Sequence, residues 1–133
     1  MVETFTAQIN KWVAATENRL EMVFKQSAQD VFSDAQTPRD QGGNMPVVTS
    51  FLRNSFMMWL NNSSSLKSPE AYLLTIPRAK IGDVLHGGWS AEYAAAQEFG
   101  FGTHPGYAYA RKAAMRWQEF VAKNSALAKA RFR

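Results

Sequence analysis

Apolar side chains recur at steps of three and four through the first part of the chain: Phe5, Ile9, Trp12 and Val13, Leu20, Val23 and Phe24, Val31 and Ala35. That spacing is the period of an α-helix carrying one apolar stripe. It predicts a single helix from about Val2 to Ala35, filling a segment 1–36. Thr37-Pro38 closes it, because proline disfavours helical backbone at the residue ahead of it. At the other end Thr4 or Glu3 stands where a cap belongs. Globular helices average about 11–12 residues, so this one is far longer than its own domain needs. Its stripe has to be covered along its whole length, by a small sheet for part of it and by a neighbouring subunit for the rest.

Residues 37–48 read as a loop around Arg39-Asp40-Gln41-Gly42-Gly43-Asn44. The middle of the chain, 49–100, reads as strands separated by turn residues. Phe51 to Asn61 is rich in large apolar groups and ends in Asn61-Asn62-Ser63-Ser64-Ser65; Tyr72 to Ile76 stops at Pro77; Trp89 to Glu98 follows Gly87-Gly88. The alanines at 91 and 94–96 are poor strand formers, and Ala79 to Leu85 allows a short helix. From Gly106 the helical period returns and runs to about Ala128, giving a helix over 106–128 and a basic tail over 129–133. Helix, strands, helix is an α+β domain: a long N-terminal helix, a small antiparallel sheet of three to four strands and a C-terminal amphipathic helix. At 133 residues the chain fits one domain.

Cysteine is absent, which removes disulfides, zinc–thiolate sites and a cysteine nucleophile. The two histidines, His86 and His104, belong to no HExxH pattern and to no metal-spaced cluster. Gly88-Trp89-Ser90-Ala91-Glu92 lacks the second glycine of a nucleophile elbow, and Phe99-Gly100-Phe101-Gly102-Thr103 has no lysine at phosphate-loop spacing. Glu92 and Glu98 would share one face of an extended strand, where a carboxylate pair can do acid–base work but a solvated face is the plainer account. The expectation is a protein that is not an enzyme and has no cofactor or metal. No apolar run is long enough to span a membrane, and the acidic start Met1-Val2-Glu3-Thr4-Phe5 lacks a signal-peptide pattern.

Charge is unevenly placed. Residues 1–36 carry three basic and five acidic side chains, whereas 107–133 carry seven basic side chains against Glu119 alone. A basic C-terminal helix suits an acidic partner, nucleic acid or protein; it also suits a solvated face whose cations sit near the helix C-terminus. Phe99, Phe101, Tyr107 and Tyr109, interleaved with glycine, suit either a stacking platform for single-stranded nucleic acid or a core and subunit contact.

Two motifs go further. Pro46-Val47-Val48-Thr49-Ser50-Phe51-Leu52-Arg53-Asn54-Ser55 resembles the P-V-D-T-G-x-L-R-x-S segment of small neck or tail-completion proteins of long-tailed bacteriophages. Tyr93-Ala94, Glu98-Phe99-Gly100, Tyr109, Arg111 and Ala113 resemble that family's Y-A-x-x-x-E-(F/Y)-G and P-F-x-R-P-A pair. Val48 and Ser50 replace the family's aspartate and glycine; Ala108 and Lys112 replace its prolines, which would let the last helix extend toward Tyr107. The resemblance implies a structural virion protein at the neck, assembled in the host cytoplasm, forming a six-fold ring that joins the DNA-filled head to the tail. Its partners would be further copies of itself, the neighbouring neck, head-closure and tail-tube proteins, and the DNA in the channel, with no membrane. The implied subunit or partner interface is Arg53, Tyr93, Glu98, Phe99, Phe101, Tyr107, Tyr109 and Arg111. Lys112, Arg116 and Lys123 would meet the DNA channel or an acidic partner. The alternatives are a tail-terminator ring that caps the tail tube and a basic nucleic-acid-binding module.

Overall fold

The structure, a computed structural model, describes residues 4–47 and 50–131, apart from the side chain of Phe5. Glu3 as a cap, Val48 in the first motif and the end of the basic tail lie outside the described residues.

The long helix is present as α1 (Phe5–Gln36), opened by Thr4, whose Oγ1 accepts from the Ala7 N–H at 3.1 Å. At 1.5 Å per residue it is about 48 Å long. Only its later part is packed: Ser27, Ala28, Ala35 and Gln36 are buried, while Ile9, Trp12, Val13 and Leu20 remain exposed. The next element is a one-turn 3-10 segment, Arg39–Gln41, tied back on itself where the Arg39 N–H reaches the Met45 carbonyl and the Met45 N–H reaches that of Thr37.

The middle region has three strands, ordered β2-β1-β3 and all antiparallel: β1 (Phe56–Leu60), β2 (Leu66–Lys67) and β3 (Leu85–Trp89). This is the small antiparallel sheet of an α+β domain, but three of its expected strands need correction. Phe51–Asn54 is a helical turn, α2, and the strand begins only at Phe56. Tyr72 to Ile76 is not a strand but helix α3 (Ala71–Thr75), running into a 3-10 turn over Ile76–Arg78. A short apolar run cannot distinguish helix from strand by period; here Ala71, Tyr72, Thr75 and Ile76 are buried and Leu73 and Leu74 exposed, which is a helical stripe rather than an alternation. The third strand ends at Trp89 instead of starting there, and Ala94–Phe99 is helix α4, as the helix preference of alanine favours. Ala79 to Leu85 is a turn entering β3 and not a helix.

The glycine pair that reads as a break lies inside β3. Gly87 pairs with Met58, and a Cβ there would run into the Phe32 ring of α1. The glycine is what lets the helix lie close on the sheet. C-terminally, α5 (Tyr109–Met115) and α6 (Trp117–Arg131) replace one continuous helix, with a step at Arg116. The helix does not extend to Tyr107, because Ala108 takes a left-handed φ of 51°.

Trp89 joins two apolar clusters. On one side lie Ala28, Phe56, Met58, Ala71, Tyr72 and Ile76; on the other, Met45, Leu52, Ala91 and Tyr109. The indole N–H donates to Gln36 Oε1 at 2.8 Å, and the Gln36 amide donates to the carbonyls of Arg53 and Pro69. A fully buried glutamine at the end of α1 thus pins helix, sheet and α2–α3 connections together, with each of its polar atoms partnered.

Candidate assembly surface

Helix α5 begins without a cap of its own, since Ala108 has no side-chain acceptor. The need is met from α4. The buried Glu98 carboxylate accepts from the Ala110 N–H at 2.8 Å and the Arg111 N–H at 3.0 Å, two of the donors that every helix start leaves open. Its negative charge also sits at the positive end of the α5 dipole. Arg111 folds back on the same group, with Nε donating to Oε2 at 2.9 Å and Nη2 to the Glu98 carbonyl at 2.8 Å. The loop between the two helices closes tightly enough to require glycine: Gly106 has φ 80°, and a Cβ there would lie 2.6 Å from the Glu98 carbonyl. Tyr109, 2% exposed, packs edge-on against Trp89 and donates its hydroxyl to the Ala94 carbonyl at 3.0 Å. Burial first, then the Glu98 and Tyr93 charges, pushes its phenol up to about 12.

The second motif is therefore a clasp. Its two halves, Tyr93 to Gly100 and Tyr109 to Ala113, meet through Glu98, Arg111 and Tyr109. This corrects part of the expected interface. Glu98 and Tyr109 are interior groups and are not presented to a partner. Nor do Glu92 and Glu98 share a strand face, because Glu92 is an exposed turn residue and Glu98 is buried in a helix. Arg53 is likewise occupied in holding the fold: it is half-buried, and its Nε donates to the Gln36 carbonyl at the end of α1 at 2.9 Å. Ser50, standing where the resembled motif has glycine, adopts φ 64°, a backbone that glycine takes more easily.

Other expected residues do face outward. Phe99 is 64% exposed with the Arg111 guanidinium over its ring, and Phe101 is 55% exposed. Tyr93 is exposed beside Phe51, their ring centres 6.0 Å apart. Tyr107 is half-buried beneath Arg39. Phe99, Phe101, Tyr107 and Tyr109 do not make one stacking platform, because Tyr109 points into the core.

The cations of the C-terminal region are largely engaged inside the chain, where α6 runs antiparallel to α1. Arg116 reaches Asp34 at 2.8 Å and Glu119 at 3.0 Å; Lys123 reaches Asp30 at 3.0 Å. Asn124, fully buried, donates to Ser27 and Asp30. The Asp30 carboxyl is partly desolvated, which favours its neutral form, but hydrogen bonds from Asn124, Lys123 and Gln26 outweigh that and hold it below the usual range. The hydrogen bond to Glu119 drives the Arg116 pKa upward. The acidic first helix and the basic last one thus answer each other. Lys112 differs: among the described residues it has no carboxylate partner, and its Nζ lies 3.5 Å from Asn44 Oδ1.

The periodicity of α1 and α6 contains a surface that no motif marks. Trp12, Leu20 and Val23 of α1 with Val121 and Ala128 of α6 border an open apolar groove of about 460 Å³, and Trp12 is 65% exposed. The signal lies in the length of the stripe, which outruns the rest of the fold. Among the described residues, no group of three His, Asp or Glu side chains is placed to hold a metal. No described helix is long and apolar enough to cross a membrane. No described protein family, no curated protein and no solved structure matches the chain.

Proposed function

We propose that this chain is a structural subunit of a bacteriophage neck, assembling as a ring that joins the DNA-filled head to the tail, and that it performs no catalysis. The observation that carries the reading is a division between buried and exposed side chains. The buried polar groups Gln36, Glu98 and Asn124 are engaged in holding elements together, while Trp12, Leu20, Phe51, Phe99 and Phe101 stand open to solvent. Large apolar patches on a small domain mark contact surfaces. They lie on two different parts of the fold, α1 and the α4–α5 loop. A contact of one patch on one copy with a different patch on the next is heterologous, and such contacts close into rings when the rotation permits. The motif resemblance supplies the particular assembly, its six-fold number and its place in the virion. A nucleic-acid-binding module has less support, because Arg111, Arg116 and Lys123 already have carboxylate partners.

The test is electron microscopy of lysates from a producer lacking the gene, with and without complementation. Filled heads beside free tails of normal length are expected. Overlong tails would reassign the chain to capping the tail tube, and intact infectious particles would overturn the neck reading. Complementation with Phe99→Asp/Phe101→Asp, which leaves the core untouched, should fail although the variant folds.

A further inference from the structure

The 39–44 loop, the 104–107 loop and α5 meet at an open cleft of about 370 Å³ lined by Arg39, Asn44, His104, Tyr107 and Lys112. Its charged side chains are cations, and no carboxylate lines it. Among the described residues, Arg39 and Lys112 have no carboxylate partner, unlike Arg111, Arg116 and Lys123. The Arg39 guanidinium lies 4.6 Å over the Tyr107 ring, Tyr107 is 5.0 Å from His104, and His104 stacks on Phe101 at 5.1 Å with the planes 7° apart. The Gly106 N–H donates to His104 Nδ1 at 3.0 Å, which leaves Nε2 as the nitrogen that carries the proton in the neutral ring. A row of aromatic contacts therefore runs from the Arg39 guanidinium through Tyr107, tilted 60° against His104, to the exposed Phe101, and Lys112 lines the same cleft.

We propose that this cleft is a docking site for an acidic segment of a partner protein, one that carries an apolar side chain next to its carboxylates. A carboxylate would sit between Arg39 and Lys112, where the guanidinium fork matches its two oxygens, and the apolar side chain would pack on Phe101. The inference rests on the chemistry of the cleft and not on the neck reading. It favours protein over DNA because the cations are few and local. Duplex binding draws on a track of about 6–10 phosphate contacts, and Arg111, Arg116 and Lys123, which could extend such a track along α5 and α6, are paired within the chain. The aromatic rings beside the cations also suit a peptide side chain, and the Tyr107 ring beneath Arg39 holds the guanidinium in place before its ligand arrives.

The full chain would be titrated with a short capped peptide in which three carboxylates flank one phenylalanine, followed by amide chemical shifts. Shifts confined to residues 39–45, 101–107 and 112 are expected. Affinity should fall at least about tenfold in Arg39→Gln/Lys112→Gln, the size expected for losing charge-assisted hydrogen bonds. Lys129→Gln, at the far end of the fold, should bind as the parent does, and the peptide's carboxamide counterpart should not bind. Phe101→Ser should weaken the parent peptide but not a version lacking its phenylalanine. Shifts scattered over the surface, or unchanged affinity in the double variant, would overturn the proposal. So would a short DNA duplex that displaces the peptide with a steep salt dependence, which would make the cleft a phosphate site.

Discussion

Replacing Glu98 by alanine removes more than an ion pair, and the structure says how much more. The carboxylate accepts two backbone N–H groups at the start of α5, at 2.8 and 3.0 Å, in a place where Ala108 offers no substitute. Losing a helix cap costs about 1 kcal/mol. Leaving a donor buried and unpartnered costs about 1–3 kcal/mol. Arg111 adds little to the loss, since its side chain is 50% exposed and the guanidinium returns to water, whereas the Glu98 side chain is 7% exposed. The sum for Glu98→Ala is about 2–4 kcal/mol, and for Arg111→Ala about 1 kcal/mol. A chain of this size loses about 3–5 °C of Tm per kcal/mol, so the two variants should melt about 10 °C and about 4 °C below the parent. Glu98→Gln keeps a carbonyl oxygen for one N–H but gives up the charge, and should fall between them. Urea unfolding of the parent, both single variants and the double variant completes a thermodynamic cycle. Equal losses for Glu98→Ala and Arg111→Ala would mean that the ion pair, and not the capping of α5, holds the clasp. A loss below about 0.5 kcal/mol for Glu98→Ala would mean that α5 needs no cap at all.

Other expectations follow from the same contacts. Gly106→Ala, whose new methyl would meet the Glu98 carbonyl, should cost more than about 2 kcal/mol in urea unfolding; Gly102→Ala, at φ 54° with open space around it, should cost only about 1 kcal/mol. Asn124→Ala removes donors to Ser27 and Asp30 from a fully buried position and should destabilise by about 2–3 kcal/mol, with amide exchange rising first along α6. The fold favours the neutral Tyr109 phenol and raises it to about 12 from an ordinary value of 10.0. Its contribution is therefore complete below pH 10 and is lost as pH rises toward about 12. Ultraviolet titration should show one tyrosine ionising late, and Tyr109→Phe should abolish that late step. A Tyr109→Phe variant that keeps the late step of the parent would contradict the burial of Tyr109.

The long first helix is the part of the fold that the sequence makes plainest. The stripe from Ile9 to Ala35 has room for many turns, so its period is unambiguous, and Thr37-Pro38 marks its stop. The middle is obscure because its elements are short. Tyr72 to Ile76 spans little more than one helical turn, too few residues to reveal a period, and its helical form is settled by which side chains reach the core. The Gly87-Gly88 pair reads as a break because the reason for it, the Phe32 ring of α1, is distant in sequence. The candidate site divides in the same way. Charge counting finds the basic C-terminus but cannot see Asp30 and Asp34 lying opposite it, since antiparallel packing of α1 and α6 brings them there. Arg39 belongs to no motif, and only the turn that ties it to Met45 brings it over Tyr107.

That division bears on what the motif resemblance can carry. Arg53, Glu98, Tyr109 and Arg111, four of the residues on which the resemblance rests, close α1 onto α2 and α4 onto α5. Their spacing is dictated by a clasp and a helix end, so the resemblance is foremost a statement about how such a chain folds. What a partner would touch on the proposed reading is different: Trp12, Phe99, Phe101, Arg39 and Lys112, of which Phe99 and Lys112 fall at motif positions, Lys112 where the resembled segment has proline. On the proposed reading, fold and recognition are carried by largely separate sets of side chains. Exchanging the exposed set should therefore change which neighbour the subunit accepts while its melting temperature stays within the few degrees expected for surface substitutions. Exchanging the clasp should instead remove the subunit altogether. If surface exchanges such as Phe101→Ser or Lys112→Gln unfolded the chain, the loop would be part of the core and the proposed docking surface would have to lie elsewhere.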